Sequence, residues 1–167
     1  MKKTAILTIS DKGYEGQRLD ETGQVLKKYL EESDYRVEYY KVIPDEVENI
    51  KKELKHICDE LKIPLVITNG GTGFSKRDVT PEATIQVIDK KVPGIAEYMR
   101  MKSMEITSRA MLSRGVAGIR KNSLIINLPG SPRGAKENLG FILPSLGHGL
   151  EILSGEASEC ARGEKTL

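Results

Sequence analysis

The chain has 167 residues, of which 30% are charged and 38% are hydrophobic, a balance typical of a folded domain rather than of a disordered chain. Its 26 basic and 24 acidic residues give a net charge of +2 and are interspersed, which argues against a nucleic-acid or membrane surface. No apolar run reaches the roughly 20 residues of a membrane span, and the N-terminus has no signal-peptide pattern. We therefore expect a single cytoplasmic domain over residues 1–167, with a frayed tail in the last dozen residues.

The two cysteines, Cys58 and Cys160, lie far apart and lack the Cys-x-x-Cys or Cys/His spacing of a metal site. Cys58 falls on the apolar side of a predicted helix. We expect a buried free thiol there, and neither a disulfide framework nor a zinc site, which is consistent with a reducing compartment.

In the first half of the chain, short strand-like runs alternate with longer patterns of helical period. These patterns predict, in chain order, a strand over 4–9, a helix over about 21–32, a strand over 36–43, a helix over about 45–62 and a strand over 65–68. Asp45 and Glu48 form an Asp-x-x-Glu start signal, so Asp45 is expected to cap the second of these helices.

The second half continues the alternation. The patterns predict a helix over 81–90, a helix over 94–107, strands over 116–119 and 124–128, and a last helix whose apolar stripe ends near residue 153. Thr80 and Ser131 each precede a proline, an arrangement typical of a helix cap with proline at the first helical position. The two strands are expected to form a hairpin around Lys121. Pro144 lies inside the last stripe and predicts a kink or break there.

Strands alternating with helices of this length predict an α/β fold, a three-layer sandwich with a mainly parallel sheet and helices on both faces. Right-handed crossovers place the carboxyl ends of the strands along one edge, where ligands bind in such sheets. Four strand exits carry polar or glycine-rich turns, namely Ser10-Asp11, Pro44-Asp45, Asn69 to Gly73, and Asn127 to Ser131. We expect one cleft to collect all four.

The loop Gly70-Gly71-Thr72-Gly73 has few side chains, so its backbone N–H groups can approach and wrap an anion. A phosphate suits it, with the Thr72 hydroxyl as a further donor. A tight strand-to-helix turn explains the same residues equally well. The loop matches neither a Walker A motif nor a dinucleotide fingerprint.

Lys76 and Arg77 stand beside Asp78 just before a predicted helix N-terminus, where phosphates bind favourably. A solvated pair between Arg77 and Asp78 is the alternative. If Asp45 and Asp78 face one cleft, the two carboxylates can hold a hydrated Mg²⁺ together with substrate phosphates. A pair of metal-binding carboxylates beside a phosphate-binding loop indicates phosphoryl or nucleotidyl transfer. For Asp45, capping of the following helix is the alternative role.

A second small-residue loop, Pro129-Gly130-Ser131, opens the last helix. Ser131 is first of all a predicted cap, and an anion contact is compatible with that role. Two anion-binding loops suit a ligand with two separated phosphates or two phosphorylated ligands. Neither His56 nor His148 completes a Ser/His/Asp or Cys/His set, which disfavours hydrolase chemistry.

Taken together, these motifs resemble the molybdenum-cofactor biosynthesis family, most of all its MogA type and the matching domain of the plant and animal fusion proteins. The resemblance covers roughly residues 5–153. The motifs that carry it are Ile43 to Glu46, Thr68 to Gly73, Arg77 to Ala83, Ala110 to Arg114, and Asn127 to Pro132.

The resemblance implies adenylylation of molybdopterin by Mg-ATP, with release of pyrophosphate, in a homotrimer. It also implies hand-over of the product to a molybdate-insertion protein. The family's catalytic aspartates, which bind Mg²⁺, match Asp45 and Asp78, and its pterin-side serine matches Ser113, which by residue chemistry alone is an unremarkable helix-end serine. The remaining predicted substrate-binding residues are Ser10, Asp11, Gly70, Gly71, Thr72, Gly73, Arg77, Thr80, Pro129, Gly130 and Ser131.

The sister MoaB-type proteins share both loops, and some of them do not adenylylate. In those proteins the Arg-Asp-Val-Thr-Pro stretch is often altered, whereas this chain keeps it intact at 77–81, which favours the active type. Two competing hypotheses are a catalytically silent pterin-binding protein or scaffold and a nucleotide-binding regulator without affinity for pterin. An assay for AMP transfer from ATP separates the enzyme from both.

Overall fold

The computed structural model describes residues 1–155, so the predicted frayed tail and Cys160 lie outside the described residues. In chain order the elements are β1 (Lys2–Ile9), α1 (Asp11–Tyr14), α2 (Glu21–Glu31), β2 (Tyr35–Ile43), α3 (Val47–Lys55) continued by a π-helical turn (His56–Glu60), β3 (Leu65–Asn69), α4 (Thr80–Ile85), β4 (Lys90–Lys91), α5 (Pro93–Met104), a 3₁₀ turn (Ser108–Leu112), β5 (Ala117–Arg120), β6 (Ser123–Leu128) and α6 (Pro132–Ser154). Within this range no helix has the length and apolar character needed to cross a membrane.

The strands form one sheet in the order β2-β1-β3-β6-β5-β4. β1 pairs in parallel with β2 and β3, and β3 pairs in parallel with β6. β5 runs antiparallel to both β6 and β4, so the predicted hairpin is confirmed, and Lys121 at its turn has a φ of 50°. The predicted mainly parallel sheet is likewise confirmed.

Alternate residues of the central strands enter two separate hydrophobic cores, as the period of two in a strand requires. Ile6, Ile67 and Ile126 are fully buried against the face covered by α2, α5 and α6. Val66 and Ile125 are buried against the opposite face, which α3 and α4 cover. The three-layer sandwich is therefore confirmed, and each fully buried Ile or Leu contributes on the order of 1.5–3 kcal/mol of transfer free energy.

Two of the three predicted helix caps are wrong. α3 begins at Val47 behind Glu46, and α4 begins at Thr80 behind Val79, with no side-chain cap at either position. Ser131 does cap α6, since its hydroxyl accepts the N–H of Gly134 at 3.2 Å. The carboxylate of Asp45 and the hydroxyl of Thr80 are used elsewhere, as described below.

The sequence predicts a kink or a break of the last helix at Pro144. The predicted break is wrong, because α6 runs without interruption from Pro132 to Ser154. Leu139 and Ile142 are buried before the proline, and Leu146 and Leu150 are buried after it. Burial of this stripe on both sides holds the helix together although Pro144 cannot donate to the carbonyl four residues earlier.

Other helix boundaries shift by several residues. The helix predicted over 81–90 ends at Ile85, because Lys90–Lys91 pair with β5 as a short strand. The helix predicted over 94–107 spans Pro93–Met104 and is followed by the 3₁₀ turn. These connections keep the carboxyl ends of β1, β2, β3 and β6 open at one edge.

Candidate active site at the carboxyl edge of the sheet

A cleft of about 610 Å³ lies where β1, β2, β3 and β6 end. It receives seven of the residues predicted from the sequence: Ser10, Asp45, Gly70, Gly71, Asp78, Gly130 and Ser131. The expectation that one cleft collects the four strand exits is confirmed. Asp45 and Asp78, which are 33 positions apart in the sequence, line the same cavity.

The first glycine loop leaves β3 through two left-handed residues, Gly70 with φ 94° and Gly71 with φ 67°. A Cβ on Gly70 would lie 2.3 Å from the carbonyl oxygen of Ile9, so this position requires glycine. Thr80 holds the loop from behind: its hydroxyl donates to the Gly70 carbonyl at 2.9 Å and its N–H donates to the Gly71 carbonyl at 3.1 Å. These residues form a tight turn, and the turn lines the cleft.

The second glycine loop contacts the first. The N–H of Gly70 donates to the carbonyl of Leu128 at 3.2 Å, and a Cβ on Gly130 would lie 3.3 Å from the Cα of Gly70. Thr22 of α2 secures the second loop, since its hydroxyl donates to the Gly130 carbonyl at 2.7 Å. The two loops therefore form one continuous wall of the cleft.

Asp45 and Asp11 are joined at the exits of β2 and β1. The N–H of Asp11 donates to Oδ2 of Asp45 at 2.8 Å, and the N–H of Asp45 donates to Oδ1 of Asp11 at 3.0 Å. Burial raises the pKa of the Asp45 carboxyl, and the nearby charges of Asp11 and Asp78 raise it further. A half-buried carboxylate among like charges is a favourable place for a cation.

Arg77 pairs with Asp11 rather than with its neighbour Asp78. Its guanidinium donates to both carboxylate oxygens of Asp11, from Nε at 2.9 Å and from an Nη at 3.0 Å. This pairing lowers the pKa of the Asp11 carboxyl, chiefly through the hydrogen bonds from Arg77. The alternative of a solvated pair between Arg77 and Asp78 is therefore wrong.

Asp78 folds back over the loop that precedes it. Its Oδ2 accepts the N–H of Ser75 at 3.0 Å, and a Cβ on Gly73 would lie 2.9 Å from the same oxygen. The carboxylate thus rests against the glycine loop, on the cleft that Asp45 also lines.

The carboxylates that line the cleft are the candidate ligands for a metal ion. In the part of the chain that the structure describes, no group of three or more His, Cys, Asp or Glu side chains is arranged to hold a metal ion. Two carboxylates on one cleft, Asp45 and Asp78, do fit Mg²⁺, which usually takes one or two protein carboxylates and completes its shell with water and substrate phosphates.

The remaining predicted residues flank the cleft. The side chain of Thr72 is buried, and Asp11, Arg77 and Pro129 adjoin lining residues in the chain. Gly73 lies against the carboxylate of Asp78, as described above. Thr80 is fully buried, so it shapes the loop, and contact of its side chain with substrate stays a prediction. Ser113 lies beside the loop, because the next residue, Arg114, donates its N–H to the Thr72 carbonyl at 3.0 Å.

The cleft is also lined by residues that the sequence reasoning missed: Arg18, Asp20 and Thr22. Asp20 caps α2, accepting the N–H of Gly23 at 2.9 Å and the hydroxyl of Tyr40. Burial, followed by the hydrogen bond to Asp20, raises the pKa of Tyr40 to about 12. An aspartate directly before the helical pattern at 21 is a cap signal that could have been recognised.

Comparison with known proteins identifies relatives along most of the chain. Residues 5–148 match a family profile described as "Probable molybdopterin binding domain". The molybdopterin adenylyltransferase of Helicobacter pylori is 41% identical over 154 residues, which span 90% of this chain and 86% of that protein. The molybdopterin adenylyltransferase of Haemophilus influenzae is 43% identical over 140 residues, which span 82% of this chain and 71% of that protein.

Among solved structures, the molybdopterin biosynthesis enzyme MoaB from Thermus thermophilus superposes with a TM-score of 0.88 at 47% identity. The match covers 93% of this chain and 98% of that one. Fold, motif order and sequence identity along most of the chain agree: the protein belongs to the molybdenum-cofactor biosynthesis family.

Proposed function

We propose that this protein is a molybdopterin adenylyltransferase, which transfers AMP from Mg-ATP to the terminal phosphate of molybdopterin and releases pyrophosphate. The observation that carries the proposal is a single cleft in which two glycine loops meet the carboxylates of Asp45 and Asp78. Relatives of the same family that bear this name, at about 40% identity along most of the chain, support it.

In the proposed reaction, an oxygen of the molybdopterin phosphate attacks the α-phosphorus of ATP, and the bond from that phosphorus to the pyrophosphate oxygen breaks. Phosphate monoesters are already anionic near neutral pH, so the protein need not supply a strong general base. Orientation of the two phosphates and stabilisation of the leaving charge are what it must provide.

The residues of the cleft are suited to these tasks. Backbone N–H groups at residues 71–73 of the first loop and 130–131 of the second bind phosphate oxygens and orient them. Asp45 and Asp78 are the residues that would hold Mg²⁺. Magnesium, when bound, neutralises the charge of the triphosphate and of the departing pyrophosphate. Ser113, beside the first loop, contacts the pterin side.

The proposal extends to a homotrimer in the cytoplasm that hands its product to a molybdate-insertion protein. Support for an assembly comes from residues 98–112, where six large hydrophobic side chains are each more than 40% exposed: Tyr98, Met101, Met104, Ile106, Met111 and Leu112. Apolar surface of this kind is typical of contacts between proteins. Size-exclusion chromatography with light scattering measures the assembly directly.

A second candidate is a pterin-binding protein without transferase activity. It is favoured by the similarity to a protein of the MoaB type at 47% identity. Such a protein binds molybdopterin but releases no pyrophosphate from ATP.

The deciding experiment incubates the purified protein with ATP, Mg²⁺ and molybdopterin and measures pyrophosphate release and adenylylated pterin. The matched variant Asp78→Asn keeps the size of the side chain and removes its charge. We expect the wild-type protein to form adenylylated pterin, and the variant to lose about 100-fold or more of kcat while binding the pterin normally. Pterin binding without transfer by the wild type would assign the chain to the second candidate, and a fully active variant would exclude Asp78 as a metal ligand.

A further inference from the structure

Arg114 follows the serine that matches the family's pterin-side position, and its side chain connects three segments of the chain. Nε donates to the carbonyl of Gly73 at 2.7 Å, and one Nη donates to the carbonyl of Asp78 at 2.8 Å. The other Nη forms an ion pair with the carboxylate of Glu82 in α4. One guanidinium thus binds the end of the glycine loop, the residue bearing a site carboxylate, and the first turn of the helix behind them.

The backbone around Arg114 is fixed as well. Its N–H donates to the carbonyl of Thr72 at 3.0 Å. On the other side, Arg100 of α5 donates to the carbonyls of Ser113 at 3.3 Å and Gly115 at 2.9 Å. Residues 113–115 are therefore held between the first glycine loop and α5.

The chemistry of this contact differs from that of a surface ion pair. Two of the three acceptors are backbone carbonyls, whose positions are fixed by the fold. The Arg114 side chain is only 33% exposed. A planar guanidinium can satisfy acceptors in three fixed directions, whereas a lysine ammonium on a flexible stem is a single point of charge. The arrangement specifies arginine.

We propose that Arg114 is a positioning residue that sets the pterin-side segment at Ser113 against the glycine loop and Asp78, so that the two reacting phosphates are aligned. The inference rests on the proposed function, because it assumes that two ligands meet between these segments. Transfer requires the attacking oxygen and the phosphorus to lie about 3–3.5 Å apart, and an error of about 1 Å in placement can cost roughly 100-fold in rate.

This role makes a particular kinetic prediction. Each ligand retains its own contacts when Arg114 is replaced, since the phosphate-binding N–H groups and Ser113 are still present. What is lost is the fixed relation between the two halves of the site. The effect therefore falls on kcat, and the KM for ATP and the Kd for molybdopterin change little.

The test compares Arg114→Met and Arg114→Lys with the control Arg36→Met in the AMP-transfer assay. Arg36 lies at the start of β2, at the opposite edge of the sheet, and its side chain is 58% exposed. We expect kcat to fall about 100-fold in Arg114→Met and more than about 10-fold in Arg114→Lys, with KM for ATP and Kd for molybdopterin within about threefold of wild type. Arg36→Met should match the wild type.

A third variant, Arg114→Ala, adds a readout that a purely structural role would not change. Free guanidinium ion at millimolar concentration should restore part of its kcat, whereas ammonium ion should not.

The outcomes distinguish a failure of the proposed function from a failure of the positioning role of Arg114. A wild-type protein that transfers no AMP refutes the proposed function. If the wild type is active and kcat of Arg114→Met stays within about threefold of it, or if ATP binding weakens in proportion to kcat, the positioning role is refuted. Should Arg114→Met fail to fold by circular dichroism, Arg114→Lys decides: a wild-type kcat overturns the inference and a loss of more than about 10-fold supports it.

Discussion

Asp11 and Asp45 each donate a backbone N–H to the side chain of the other, at 2.8 and 3.0 Å. The exchange fixes the exit of β1 to the exit of β2 and orients the Asp45 carboxylate. It also places two like charges close together, and the guanidinium of Arg77 on Asp11 offsets one of them. The geometry of the proposed metal ligand therefore depends on a residue outside the metal site.

Two replacements of Asp11 distinguish the effect of its hydrogen bond on activity from the effect of its charge. Asp11→Asn keeps a carbonyl oxygen that can accept the N–H of Asp45, whereas Asp11→Ala removes the acceptor. We expect kcat for AMP transfer in Asp11→Ala to be about 10-fold below that of Asp11→Asn, which corresponds to one hydrogen bond of about 1.4 kcal/mol. Rates at saturating Mg²⁺ and ATP measure the difference. Equal loss in both variants would mean that the charge of Asp11, and not its hydrogen bond, matters.

The glycine loop allows a test with a closely matched control. Gly71 and Gly16 have similar backbone angles, φ 67° and 74°, but a Cβ on Gly71 would lie 2.3 Å from Oγ1 of Thr80, whereas one on Gly16 would contact nothing within 4 Å. Gly16→Ala therefore carries only the backbone strain, about 1–2 kcal/mol. Gly71→Ala carries the same strain and a clash, and should lose at least about 1 kcal/mol more together with ATP binding.

Urea unfolding and ATP titration of the two variants measure these quantities. The interpretation of the loop fails if both variants lose the same free energy of unfolding and both bind ATP as the wild type does.

Much of this architecture was predictable because it depends on patterns that repeat along the chain. Alternation along β1, β3 and β6 determines which residues enter each core, and parallel strands must place their exits at one edge. Ser10, Asp45 and Gly70 each follow one of the parallel strands, so the pattern alone assigns them to one cleft.

The predictions that were wrong concern side chains whose hydrogen-bond partners are distant in the sequence. Asp45 fits a helix-cap pattern with Glu48, yet its carboxylate accepts from Asp11, 34 positions earlier. Arg77 adjoins Asp78, yet it binds Asp11, 66 positions away. Local patterns describe only the partners within a few residues, and the parallel topology that brings β1, β2 and β3 together supplies stronger ones.

The thiol of Cys58 provides a test of the second core. Cys58 is only 3% exposed, and burial raises the pKa of its thiol to about 11. Because the thiolate is the reactive form, raising the pKa lowers reactivity at any pH below about 11. In a Cys160→Ser background, we expect negligible reaction of the native protein with Ellman's reagent at pH 8.

The rate should rise about tenfold for each pH unit above 8 until the thiol titrates. Unfolding in concentrated guanidinium chloride is the control, since it should release one thiol of ordinary reactivity. Rapid reaction of the native protein at pH 8 would show that the second core opens at Cys58.

Pro144 tests how α6 tolerates a residue that was expected to interrupt it. Proline inside a helix lacks the N–H that would bind the carbonyl of Gly140 and costs about 3 kcal/mol relative to alanine. Restriction of the unfolded chain by proline offsets about 0.4–1 kcal/mol of this. We therefore expect Pro144→Ala to raise the free energy of unfolding by about 2–2.5 kcal/mol, and its exposed neighbour variant Ser145→Ala to change it by less than about 0.5 kcal/mol. Urea unfolding of both variants measures these changes. If Pro144→Ala lowers the free energy of unfolding instead, the proline bends α6 into the shape that packs Leu146 and Leu150 against the sheet, and the fold requires a proline at this position.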